Sequence, residues 1–224
     1  MAKDWTGNSH STFVITGAVG HSKEERETND YYATSPEAAE HLLEIEPNIS
    51  DIWECAVGEG HLAEVFRKAG KLKAISDLVD RGYHPEDIKA QYFGKSFLEI
   101  NEKWTGDIVT NPPYAIGKEW VEHSLSLLKE GHYLALFLKL TFLEGKNRKD
   151  MFKQYPPVRV WVSSSRIPCA MNGEFEKQKV DKHGNPMFDK DNNPIMEKQS
   201  SATAYAWFIW QKGYTGSTEI KWFN

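Results

Sequence analysis

The chain has 224 residues, 40% of them apolar and 26% charged, which is the balance of a soluble globular protein with room for one α/β core rather than two. A net charge of −5 argues against a protein that coats nucleic acid indiscriminately. The two cysteines, Cys55 and Cys169, exclude a disulfide framework and have no zinc-site spacing, so no metal is expected. No apolar run has the length of a membrane helix or the form of a secretory leader, and the expected location is the cytoplasm.

Residues 1–30 carry no sustained period and read as an N-terminal arm. Residues 31–224 read as one domain with a polar insertion at about 170–200. In "TSPEAAEHLLEIE", Ser35 is the expected N-cap and Pro36 the first helical residue, with Ala39, Leu42, Leu43 and Ile45 on the apolar face. "DIWECAV" reads as a buried strand, "GEG" as a tight turn and "HLAEVFRKAG" as a helix closed by Gly70. "LKAISD" is a second strand, "YFGKSFL" has no clear period, and "DIVT" is a strand running into "NPPY". A helix over "GKEWVEHSLSLLKEG" and a buried strand over "HYLALFLKL" follow. Strands alternating with helices predict a parallel sheet covered on both faces.

The last third differs in character. "KNRKDMFKQYP" predicts a basic helix, "VRVWVSSS" a strand and "ATAYAWFIWQKGY" an aromatic strand whose Trp207 and Trp210 are packing residues. Between the latter two, residues 172–200 read as a long loop or exposed hairpin with turns near Gly184–Pro186 and Asn192–Pro194. No internal repeat is apparent. From Lys139 to Arg166 there are seven basic residues against two acidic ones. This segment is either a solvated face or a phosphate-binding rim carrying Lys139, Lys146, Arg148, Lys149 and Arg166.

Two motifs can carry chemistry. In "WECAVGEGHLAEVF" a strand enters a glycine turn that opens a helix, where free N–H groups and close backbone approach suit a ligand. Gly58-x-Gly60-x-x-Ala63, with Asp77 downstream as a ribose acid, also fits a nicotinamide dinucleotide. Glu54 argues against that ligand: a carboxylate before the turn repels a pyrophosphate and favours a cation such as a methionine ammonium group. S-adenosylmethionine carries that ammonium, a sulfonium and a ribose. Asp80 competes with Asp77 but reads as a turn acid, and His61 reads as a first-turn helix residue rather than a base. In the second motif Pro112 and Pro113 stop the strand, since neither has an N–H to donate. The motif is a plain turn or a rigid acceptor site, with the Asn111 side-chain oxygen and a proline carbonyl beside Tyr114. If the two strands are neighbours, both motifs open into one crevice.

Over nearly its whole length the chain resembles the S-adenosylmethionine-dependent adenine-N6 DNA methyltransferases, particularly the small phage and prophage forms. The resemblance rests on "DYYATSPEAA", "ECAVGEG", "SDL" and "NPPY". It implies a Rossmann-like class I methyltransferase domain, α/β, with a mostly parallel twisted sheet and an antiparallel C-terminal strand. It implies S-adenosylmethionine as cofactor, with Tyr32, Thr34 and Pro36 lining the methionine end, Glu54, Ala56, Gly58 and Gly60 in the methionine loop, and Asp77 on the ribose. Where the family has an aspartate before a Phe-Leu pair, this chain has Ser96 before Phe97, a neutral partner and a ring packed on the cofactor adenine. Asn111, Pro112, Pro113 and Tyr114 match the catalytic motif, Asn111 also facing the cofactor. The implied partner is DNA. Methylation of protein glutamine or of RNA adenine remains open, as does a non-catalytic module that binds S-adenosylmethionine or nucleic acid.

Overall fold

The apolar runs assemble into one large sheet. The computed structural model describes residues 33–170, 173–199, 201 and 203–224; the arm expected at 1–30 lies outside them. The strands are β1 (Ala33–Thr34), β2 (Ile52–Glu54), β3 (Leu72–Asp77), β4 (Ala90–Phe93), β5 (Ile108–Thr110), β6 (Tyr133–Lys139), β7 (Arg159–Ser163), β8 (Cys169–Ala170), β9 (Glu176–Gln178), β10 (Met196–Lys198), β11 (Tyr205–Gln211) and β12 (Glu219–Phe223). The helices are α1 (Glu37–Ile45), α2 (His61–Lys68), α3 (Gly117–Leu127) and α4 (Lys149–Gln154). Eight strands share the main sheet in the order β12-β7-β11-β6-β5-β2-β3-β4, and only β11 runs against the others.

Period-two alternation divides the core between the two faces. On β11, Tyr205, Trp207 and Ile209 join α1 and α2 on one face, while Ala206, Phe208 and Trp210 join α3 on the other. Trp207 and Trp210 are packing residues as expected: both are buried, and their indole N–H groups donate to the carbonyls of Ala38 (2.8 Å) and Tyr155 (2.9 Å). Pro36 already has helical angles, and the Ala38 N–H donates to the Ser35 carbonyl. Helix α2 opens at Gly60 and is followed by Gly70, both left-handed.

Parallel β2 and β5 are neighbours in the middle of the sheet, with Trp53 opposite Ile108. The chain winds from β2 to β3 and β4 on one side and then returns to β5 and β6 on the other. The crevice at that reversal opens at the C-terminal strand ends. At the opposite end of the same strands, buried Asp107 accepts from the N–H groups of Ser50 and Tyr133, each at 2.8 Å, and so ties the approaches to β2 and β6 to the start of β5.

The polar insertion is a hairpin, β9 against β10, and it contains a repeat that is not evident on a first reading of the sequence. Asp181-Lys182-His183-Gly184-Asn185-Pro186 and Asp189-Lys190-Asp191-Asn192-Asn193-Pro194 are successive copies eight residues apart. In each, the first aspartate accepts backbone N–H groups two and four residues ahead and the side-chain amide of the asparagine four ahead. Lys179, Met187 and Ile195, again eight apart, close a ring of three backbone bonds. The base of the hairpin rests on the domain through Lys198 with Glu37 (3.0 Å) and Phe175 edge-on to His61 (5.2 Å).

Candidate active site

The crevice is lined by the C-terminal ends of β2, β3 and β5, the β1 ribbon, the start of α2 and the segment before α3. Thr34, Glu54, Ala56, Asp77, Ser96, Phe97, Asn111, Pro112, Pro113 and Tyr114, all expected site residues, line this one space. Tyr32 lies outside the described residues. Gly58 and Gly60 shape the loop without forming the wall. The Gly58 N–H donates to Asp77 Oδ2 at 2.8 Å, and Gly60 borders a neighbouring groove against the Tyr83 ring.

Glu54 is only 1% exposed, and neither carboxylate oxygen has a hydrogen-bond partner; nor does the nearby buried Thr110 hydroxyl. Burial pushes the Glu54 pKa up to about 8; the Thr110 hydroxyl, close but short of full hydrogen-bond geometry, offsets part of this, and the Asp77 charge adds to it. A buried carboxylate with no partner, at the wall of a crevice, is a site for a cation. Asp77 is held differently. Its oxygens accept from Gly58 and from the Val79 N–H (3.0 Å), and Arg81, also lining the crevice, pairs with it at 3.4 Å. Asp80 is an exposed turn acid, accepting from the Gly82 N–H and pairing with His84. At the far side Phe97 packs edge-on to Trp53 (5.3 Å) and against Trp120 (4.5 Å), which places Ser96 at the wall.

Asn111 leaves β5 with its amide nitrogen donating to Thr34 Oγ1 at 2.7 Å. That bond turns the carbonyl oxygen of the amide away from Thr34. Tyr114 is partly buried beside Tyr205, and its hydroxyl donates to Cys169 Sγ at 3.8 Å. Burial raises the Tyr114 pKa far above the ordinary phenol value, with Cys169 and Tyr205 adding to it, so the hydroxyl remains protonated.

The basic residues separate in the structure. Lys139 reaches back over the Tyr114 ring at 4.8 Å. Arg148 donates to the carbonyls of Phe142 (2.9 Å), Thr141 and Glu144 and lies over the Phe142 ring, so it braces its own loop. Arg159, counted in the same basic run, is held by Glu46. Lys146, Lys149 and Arg166 are exposed. Sequence reasoning missed Arg81, Cys169 and Tyr205. The last two come from strands more than fifty residues beyond the motif, and no local pattern marks them. Among the described residues, no group of three or more His, Cys, Asp or Glu is gathered as for a metal, and no helix is long and apolar enough to cross a membrane.

No family model matches the sequence, and no curated protein matches it. Solved structures do. A chain of a type I restriction–modification system superposes with a TM-score of 0.52 at 13% identity, over 96% of this chain and 50% of that one. A Listeria monocytogenes protein assigned to the class I S-adenosylmethionine-dependent methyltransferases superposes at 0.50 with 9% identity, over 82% of this chain and 62% of that one. This chain thus spans 50% and 62% of their lengths, less than two-thirds of either. The strand order, the lone antiparallel strand and these likenesses define the class I methyltransferase fold.

Proposed function

We propose that the chain transfers a methyl group from S-adenosylmethionine to the exocyclic N6 amine of adenine in DNA. The observation that carries this reading is that Asn111-Pro112-Pro113-Tyr114 and the partnerless Glu54 share one crevice. The residues fit the cofactor: Glu54 is oriented for an ammonium group, Asp77 retains acceptor capacity for ribose hydroxyls, and Ser96 and Phe97 flank the adenine end. When bound, the cofactor supplies an electrophilic methyl on a sulfonium.

The chain's own work is positioning. An adenine amine is a poor nucleophile because its lone pair is delocalised into the ring. Acceptance of its N–H groups by Asn111 Oδ1 and the Pro112 carbonyl steers the nitrogen toward tetrahedral geometry and frees that pair. The prolines hold the carbonyl outward, and Tyr114 stacks on a base taken out of the duplex. Lys146, Lys149 and Arg166 contact phosphates and position the strand. The likeness to a restriction–modification chain is in keeping with a nucleic-acid substrate.

The test offers labelled cofactor to methylation-free DNA, to RNA and to cell protein, and identifies the product by mass spectrometry. N6-methyladenine in DNA is expected. Asn111→Ala is expected to lose about a hundredfold or more in turnover while cofactor affinity stays within about threefold. Methylglutamine or methylated RNA as the sole product, or a fully active Asn111→Ala, overturns the assignment.

A further inference from the structure

The small ribbon of β1 and β8 pairs Ala33 with Ala170 and Thr34 with Cys169. Its side chains join the two working residues of the NPPY motif in a continuous line. The Tyr114 hydroxyl donates to Cys169 Sγ (3.8 Å), the Cys169 thiol donates to Thr34 Oγ1 (3.9 Å), and Asn111 Nδ2 donates to that same oxygen (2.7 Å). Every proton in the line points toward Thr34, which is 3% exposed. Burial raises the Cys169 pKa to about 11, with Tyr114 foremost in offsetting it, so the thiol keeps its proton at neutral pH.

We infer that Thr34 and Cys169 are positioning residues that hold the Asn111 amide and the Tyr114 ring in place for the substrate. The inference rests on the adenine-amine reading above. The Thr34 hydroxyl can accept from the amide or donate to it, so its part is to hold Asn111 in place; an Asn111 released from it and turned over would offer its N–H₂ to a substrate amine that is itself a donor. Such a pair repels and cannot draw the amine lone pair out of the ring. Cys169 does not line the crevice, so it acts on the reaction through the crevice residues it touches, Tyr114 and Thr34, with Tyr205 as a further neighbour.

The test is a double-mutant cycle with a structural readout. Cys169→Ala and Tyr114→Phe each remove the same O–H···S contact, so each is expected to lower kcat about threefold to tenfold, with the KM for DNA and cofactor affinity within about twofold. The double variant is expected to be no worse than the poorer single one. Thr34→Val is expected to fall further and Thr34→Ser to recover to within about twofold of wild type. Losses that multiply in the double variant, or that appear in KM with kcat unchanged, overturn the relay. Turnover-independent evidence comes from the Asn111 side-chain amide resonances in ¹⁵N-labelled protein. They are expected to be slow to exchange in wild type and Thr34→Ser and fast in Thr34→Val; no change in Thr34→Val also overturns the relay. A wild-type chain that methylates no adenine instead overturns the substrate reading, and the resonances tell the two failures apart.

Discussion

Glu54 shows how one buried group couples ligand affinity to pH. Its pKa in the free protein is raised to about 8 by burial, from 4.5 when solvated. An α-amino group also titrates near about 8. The bound pair of carboxylate and ammonium holds one proton between them. Below pH 8 binding must release a proton from Glu54, and above it binding must take one up. Affinity for S-adenosylmethionine is therefore expected to peak near pH 8 and to fall by up to about tenfold per unit on either side. Titration calorimetry in buffers of different ionisation enthalpy reads the sign of the proton exchange. In the ligand-free protein the linkage has the opposite consequence. Because the folded pKa lies above the unfolded one, the stabilisation held with Glu54 protonated is complete below pH 4.5 and is lost as pH rises through 8. Glu54→Gln is expected to bind the cofactor about tenfold or more weaker at pH 8, yet to melt at a higher temperature than wild type at pH 9.

At the scale of elements, the loop between β2 and α2 depends on a glycine for a reason other than ligand approach. Gly60 has φ +86°, and a Cβ there would lie 2.3 Å from the Tyr83 ring, whose hydroxyl donates to Glu64 at 3.0 Å. Gly60→Ala is expected to destabilise the fold by about 2–4 kcal/mol, from left-handed strain plus displacement of the ring, as read by urea unfolding. Gly70 is also left-handed, but nothing lies near its missing Cβ, so the same change there is the control for strain alone. The central strands and α1, α2 and α3 were legible in the sequence because each buries a face, and burial writes itself as an apolar run or a 3.6-residue period. Strand β12 was not, because Ile220 and Trp222 are exposed and its pattern is that of an edge. The β1–β8 ribbon was illegible for another reason: it has two residues per strand, and its partners are about 135 positions apart. The same contrast holds within the site. Glu54, Asp77 and Asn111 stand at strand ends beside recognisable turns, whereas Cys169 and Tyr205 arrive from remote strands.

The whole molecule carries a net charge of −5, so any hold on DNA must come from local potential. Arg148 is committed to carbonyls of its own loop, and its removal would disturb the loop as well as the charge. The clean variant is Lys146→Ala with Lys149→Ala. Loss of two phosphate contacts is expected to reduce the salt slope of DNA binding by about 1.8 while leaving cofactor affinity unchanged. An unaltered slope makes this segment a solvated face. The tie at Asp107 acts on the same scale. It holds the central strands at the ends away from the crevice, so those strands behave as short levers pinned at the base. Each extends only about 10 Å from pin to tip, and a tilt of about 3° carries the tip through about half an ångström. Methyl transfer is sensitive to displacements of about that size. The spacing between Glu54 and Asn111 is thus governed from the floor of the sheet, by a carboxylate that lies outside the crevice.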